Sequence, residues 1–119
     1  MPSRKNIVET ALGVKLPTEY EVFLETYGDY QDRGIEVYGL TDDTVDVEKM
    51  PCVIGATKIY RRLHGFPHRF ILIHHTGIED ETIGLDTEDE KVYSISRVFG
   101  DRKIADSFDE WFDRDILGR

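Results

Sequence analysis

Apolar positions recur at helical spacing near both ends of the chain and at strand spacing between them. Ser3 can cap a first helix reaching about Leu12, with Ile7, Val8, Ala11 and Leu12 on one face and Gly13 as its terminator. Leu16 to Tyr30, LPTEYEVFLETYGDY, predict a second helix. Thr18-x-x-Glu21 has the form of a capping box, in which each side chain would take an orphan N–H of the first turn. Tyr20, Phe23, Leu24 and Tyr27 follow at i, i+3, i+4 and i+7, one apolar stripe, and Gly28 stands where a left-handed residue ends the helix.

Gly34 to Tyr38 alternate apolar and polar, as in a half-buried strand. Thr41 to Lys49 read as a polar loop, and Pro51 bars a regular helix there. A third helix is predicted from Ala56 to His64, capped by Thr57 and stopped by Gly65 and Pro67. Phe70 to Ile73 form a continuous apolar run, the mark of a strand buried on both faces. Thr82–Asp86 and Val92–Ile95 flank Thr87-Glu88-Asp89-Glu90, a hairpin with an acidic tip. Ser107-x-x-Glu110 repeats the capping-box form and opens a last helix with Phe108, Trp111, Phe112 and Ile116 as its stripe. Regular β-α alternation is missing, so the pattern predicts a single α+β domain over residues 1–119. Its sheet is antiparallel or mixed, of about four to six strands, with helices packed against it.

The second-helix segment, preceded by Leu12-Gly13, resembles the N-terminal motif of the SUKH superfamily, also called the Smi1/Knr4 family. The matching positions are Leu12, Gly13, Leu16, Pro17, Tyr20, Phe23, Leu24, Tyr27 and Gly28. The resemblance continues through Gly34-Ile35-Glu36-Val37-Tyr38-Gly39-Leu40, Thr82-Ile83-Gly84-Leu85-Asp86 and Ile104-Ala105-Asp106-Ser107-Phe108. It implies an α+β fold and a binding protein without catalytic residues.

Charge narrows the choice of partner. Fifteen Lys and Arg against 24 Asp and Glu leave a formal charge of −9, which repels nucleic acid and anionic membrane and favours a basic partner. Residues 79–91 carry seven acids and one lysine, whereas 50–78 carry no acid but include Lys58, Arg61, Arg62 and Arg69. No apolar run reaches the ~18 residues of a membrane span, and no apolar stretch of a secretory leader follows the N-terminal basic residues. Cys52, the single cysteine, can form no internal disulfide and fits a reducing cytoplasm.

Catalytic and metal patterns find little support. His64-x-x-x-His68 has zinc-ligand spacing, but Gly65 and Pro67 interrupt any helix between them, and the adjacent His74 and His75 must face opposite ways on a strand. Asp86-x-Glu88-x-Glu90 fails as a calcium loop, since Lys91 stands where glycine is required and Arg97 where glutamate is. Neither a nucleophile elbow nor a glycine-rich phosphate loop occurs. Lys58, Arg61 and Arg62 share a helix face that could hold an anion, or could solvate the helix and pair with the acidic hairpin. No catalytic residue, metal or cofactor is expected.

What the resemblance implies about role is an immunity protein of the bacterial type, which occupies and blocks a cognate polymorphic toxin, often a nuclease. Its expected contacts are Glu79, Asp80, Glu81, Glu88, Asp89 and Glu90, with Tyr30 and Tyr38 as exposed aromatics. An intracellular regulatory or scaffold module of the Smi1/Knr4 type is the alternative. A third class, an enzyme or ligand binder built on the histidine-rich 64–75 segment, has only that clustering behind it.

Overall fold

Helices form where caps and apolar spacing coincide, and a six-stranded antiparallel sheet in the order β1-β2-β3-β4-β5-β6 forms around the apolar run at 70–73. The computed structural model describes residues 3–40, 53–77, 81–96 and 98–118. The loop predicted over 41–49, Pro51 and Cys52 lie outside them.

Helix α1 (Arg4–Leu12) begins as expected, with the Ser3 hydroxyl accepting from the Asn6 N–H at 3.2 Å. It buries Val8 and Leu12, while Ile7 stays at the surface. Helix α2 (Thr18–Thr26) departs from the predicted cap. Pro17, fixed in φ by its ring, is already extended at the boundary, and its carbonyl accepts from Glu21 N–H at 3.0 Å. Thr18 is therefore the first helical residue and caps nothing, and the box with Glu21 does not form. The stripe holds for Tyr20, Phe23 and Leu24, all buried, but Tyr27 is 51% exposed.

A hairpin that the pattern did not reveal follows: β1 (Tyr30–Asp32) and β2 (Ile35–Val37), joined by Arg33 and Gly34. Both joining residues have positive φ, 52° and 81°, the requirement of a tight two-residue turn. Helix α3 (Val53–His64) starts three residues before the predicted Ala56, so Thr57 lies inside it rather than at its cap. The Thr57 hydroxyl is instead fully buried and accepts from Leu72 N–H at 2.9 Å. It fills a gap in the ladder, because β2 meets β3 (Phe70–His75) only through the Val37–His74 pair and the 2.8 Å bond from Tyr38 N–H to the Ile73 carbonyl.

From β3 the chain runs as a meander through β4 (Glu81–Asp86), β5 (Val92–Ser96) and β6 (Gly100–Ala105). The β4–β5 hairpin is the predicted one, whereas β6 was not foreseen. Helix α4 (Phe108–Trp111) continues into a π-helical turn at Phe112–Ile116. Ser107 Oγ caps it by accepting from Glu110 N–H at 3.1 Å. Glu110 reaches back one residue further than a capping box requires, to Asp106 N–H at 3.0 Å. Rings of Tyr20, Phe23, Phe108 and Phe112 stack and tilt on one another at 5.2–5.7 Å between α2 and α4.

A close backbone approach joins the end of α2 to the segment after β2. A Cβ on Gly39 would stand 1.7 Å from the Gly28 carbonyl oxygen, which Leu40 N–H uses as its acceptor at 2.9 Å. Gly39→Ala must therefore push the two segments apart. A loss of about 3 kcal/mol or more is expected by urea denaturation, and an unchanged midpoint would contradict the packing. Thr57→Val keeps the shape and orphans the Leu72 N–H, for an expected loss of about 1–3 kcal/mol that Thr57→Ser largely restores.

Candidate protein-binding surface

The acidic hairpin is built on a buried carboxylate. Asp86 is 1% exposed; it accepts from the Glu88 and Asp89 N–H groups at 2.8 and 3.3 Å and from Arg69 Nε at 3.0 Å. The Arg69 guanidinium also lies 5.1 Å over the Phe70 ring and 4.0 Å from Glu88. Thr87 anchors the same turn through two bonds to the Arg69 carbonyl, at 2.6 and 2.9 Å. Asp89 is likewise engaged, accepting from the Tyr93 hydroxyl at 2.6 Å and from Lys91 N–H at 2.8 Å. That hydrogen bond, more than burial, holds the Tyr93 phenol above its ordinary range. Glu90 closes the turn with a φ of 67°, unusual for a non-glycine residue. Glu88 and Glu90 are thus left projecting into solvent from a turn whose other acids serve the fold.

The remaining expected contacts are scattered. Glu81 stands at the opposite end of β4, about 17 Å from the tip at ~3.4 Å per residue, and accepts from Ser94 Oγ at 2.9 Å. Glu79 and Asp80 lie outside the described residues. Tyr30 is half-buried, with its ring against Tyr27 and Phe112 at 6.0 and 5.2 Å. Tyr38 is not an exposed aromatic: it is 4% accessible, and burial, with Glu36 and Tyr60 nearby, pushes its phenol up to about 12. The pattern of alternation placed Tyr38 on a strand; what covers it, Tyr60 of α3 and the ring of His75 at 5.8 Å, comes from sequence far away.

Two surface features escaped the sequence pattern. Val98 and Phe99, 72% and 90% exposed, crown the β5–β6 turn, where Ser96 Oγ accepts from both of their N–H groups at 3.1 Å. The half-exposed Tyr27 ring meets those of Phe23, Tyr30 and Phe112 at the seam between α2 and α4.

On the basic face of α3, Arg61 is tied to the fold. Arg61 donates to the carbonyls of Leu12 at 2.8 Å and His68 at 2.7 Å, clamping the end of α1 to the α3–β3 loop. Burial lowers its pKa. Among the described residues it is Arg69, not the α3 cations, that pairs with the hairpin. His68 lies against Gly13 O at 3.2 Å, while His74 and His75 take opposite faces of β3: His74 packs on Trp111 at 5.6 Å, His75 on Tyr60 at 5.2 Å. Among the described residues no three His, Cys, Asp or Glu side chains gather as metal ligands would, and no helix is long and apolar enough to cross a membrane.

A family model described as SMI1-KNR4 cell-wall (SUKH_5) matches residues 2–117. The chain belongs to the SMI1-KNR4 (SUKH) family. No curated protein matches it in sequence. In this SUKH chain the motif glycines and aromatics have structural work: Gly28 and Gly39 meet backbone to backbone, and the buried Tyr20 hydroxyl donates to the Tyr38 carbonyl at 2.6 Å. Family membership therefore accounts for the fold, and these motif residues are used by its packing.

Half-buried His75 is the group from which a pH response of this SUKH chain is expected. Burial, then the neighbouring His74, lowers its pKa from the ordinary 6.5. Below pH 6.5 the unfolded chain takes up a proton that folded His75 refuses, so stability falls as pH falls, until the folded group itself titrates. The thermal midpoint should drop between pH 7 and pH 5.5, and His75→Phe should flatten that drop. An equal slope in the variant would rule His75 out as its source.

Proposed function

We propose that this SUKH chain is an immunity protein. It binds a cognate toxin in the cytoplasm, of the kind with a basic nuclease domain, and blocks it by covering surface rather than by a reaction of its own. The observation that carries this reading is the acidic hairpin tip. Asp86 and Asp89 hold the turn, while the exposed Glu88 and Glu90 project from it, Glu88 with only a 4.0 Å contact to Arg69 and Glu90 with no side-chain partner among the described residues. Like charges kept on one turn disfavour the free protein slightly and attract a cationic surface. A nuclease that grips phosphates presents such a surface. The formal charge of −9 extends that attraction over the whole molecule. Glu81, at the end of β4 away from the tip, belongs to the same proposal together with its sequence neighbours Glu79 and Asp80, and Tyr30 as an aromatic contact.

Co-expression with the toxin encoded beside the gene tests this directly. Restored growth together with a stable complex is the expected result; absence of a complex with every neighbouring toxin would sink it. Charge reversal at Glu88 and Glu90 should slow association by about three- to tenfold at low salt and flatten its salt dependence, leaving the melting temperature unchanged. An unaltered on-rate would reduce the tip to a solubilising surface. Capture of a housekeeping protein in cells lacking any toxin would favour the regulatory module instead.

A further inference from the structure

Tyr27 sits at the last turn of α2, beside a seam whose floor is the buried Phe23 and Phe112. Its ring is half exposed, and its hydroxyl has no hydrogen-bond partner among the described residues. Half-buried Tyr30 extends the aromatic surface towards β1. Along the same seam Glu19 of α2 accepts from Asp109 N–H at 2.9 Å, so the Glu19 and Asp109 carboxylates are neighbours, and Asp113 follows one helical turn later. No cation among the described residues pairs with any of these three acids. Burial, then Glu19 and Asp113, push the Asp109 carboxyl above its ordinary value. The cation nearest in sequence, Arg114, is held elsewhere, by Glu110, Asp115 and the Ile104 carbonyl.

We propose that the α2–α4 seam is a docking surface for a basic protein segment, with one cationic side chain over the Tyr27 ring and a second bonded by the carboxylates of Glu19, Asp109 and Asp113 at the other end of α2, about 12 Å away at ~1.5 Å per residue. This rests on the reading of the chain as a binder of basic protein, and it moves the anchor from the hairpin tip to the seam. The chemistry selects the occupant. A tyrosine face attracts a guanidinium or ammonium, and more strongly once water is excluded. Charge-assisted bonds to carboxylates hold the second cation. Tyrosine with acids along the same seam is also what a partner rich in arginine needs for an anchor residue. Phosphate groups of nucleic acid or lipid would meet three carboxylates with no cation between them, and a second copy of the chain would meet its own charge. The hairpin then serves encounter, and the seam serves residence.

The first probe is a hexa-arginine peptide titrated into the isotope-labelled protein at low salt. Chemical shifts should move most at Tyr27, Asp109 and Asp113, and the midpoint of the Asp109 carboxyl should fall when peptide saturates. Tyr27→Leu and the pair Asp109→Asn/Asp113→Asn should each weaken peptide binding by about tenfold with urea midpoints close to that of the parent. Shifts centred on residues 87–90 or on Val98 and Phe99, or an unmoved Asp109 midpoint, would overturn the assignment. The second probe is the toxin domain encoded beside the gene. A complex that keeps full affinity in Tyr27→Leu and Asp113→Asn overturns the seam and leaves the immunity reading standing. Peptide binding at the seam with no toxin complex for the parent protein does the reverse.

Discussion

Tyr38, Gly39 and Leu40 are the short segment on which the other elements converge. Tyr38 uses its N–H on the Ile73 carbonyl and its own carbonyl on the Tyr20 hydroxyl. Leu40 donates to Gly28, and the Gly39 carbonyl accepts from Val53 N–H at the start of α3. Three residues thus connect α2, the central strand and α3, and each connection is a bond that water cannot replace once the segment is buried. The arrangement depends on two glycines. Gly28 must turn the chain out of α2 with positive φ, and Gly39 must let the Gly28 oxygen approach to where a side chain would stand. With that contact in place α2 lies against the core, Phe23 reaches Phe108 and Phe112, and the C-terminal helix has a surface to pack on.

How much of this was legible depends on the range of the signal. The stripe Tyr20, Phe23 and Leu24, the Ser3 and Ser107 caps, the buried run at 70–73 and the acidic hairpin all announce themselves within a few residues, and all stand in the fold. The misses have distant causes. Thr57 looks like a cap because threonine before a helix usually is one, yet its hydroxyl serves a strand fifteen residues on. Arg33 at positive φ carries no turn signal, so β1 and its pairing with the expected strand at 34–38 went unrecognised. In β6, Gly100 to Lys103 are all exposed, and a strand that buries so little shows no alternation. Tyr38, expected as an exposed partner contact, is buried because α3 and β3 close over it.

The acids illustrate the same limit in the search for a site. Counted along the chain, residues 79–91 form one acidic block. Folded, the described members of the block separate to the two ends of β4 and differ in kind. Asp86 and Asp89 are parts of the turn, Glu81 is tied to Ser94, and Glu88 and Glu90 remain. Meanwhile Glu19, Asp109 and Asp113, 90 residues apart at their widest bond, assemble where the sequence shows no block at all. Clustering in sequence therefore overstates the hairpin and hides the seam.

Packing offers the better criterion for function in a fold of this kind. A side chain whose removal would open the core or orphan a buried polar group explains its own presence, and Tyr20, Thr57, Arg61 and Asp86 are all of that sort. The informative residues are those that the fold tolerates at some cost. Phe99 exposed to water, Glu90 held at positive φ and Asp109 facing two like charges each raise the free energy of the isolated protein. Of these, only the Asp109 surroundings also specify what would remove the cost, because neighbouring carboxylates with no paired cation among the described residues are satisfied by a cation and by little else. An exposed phenylalanine accepts any apolar cover; the seam accepts one chemistry, and that selectivity makes it the stronger candidate for the contact that decides the partner.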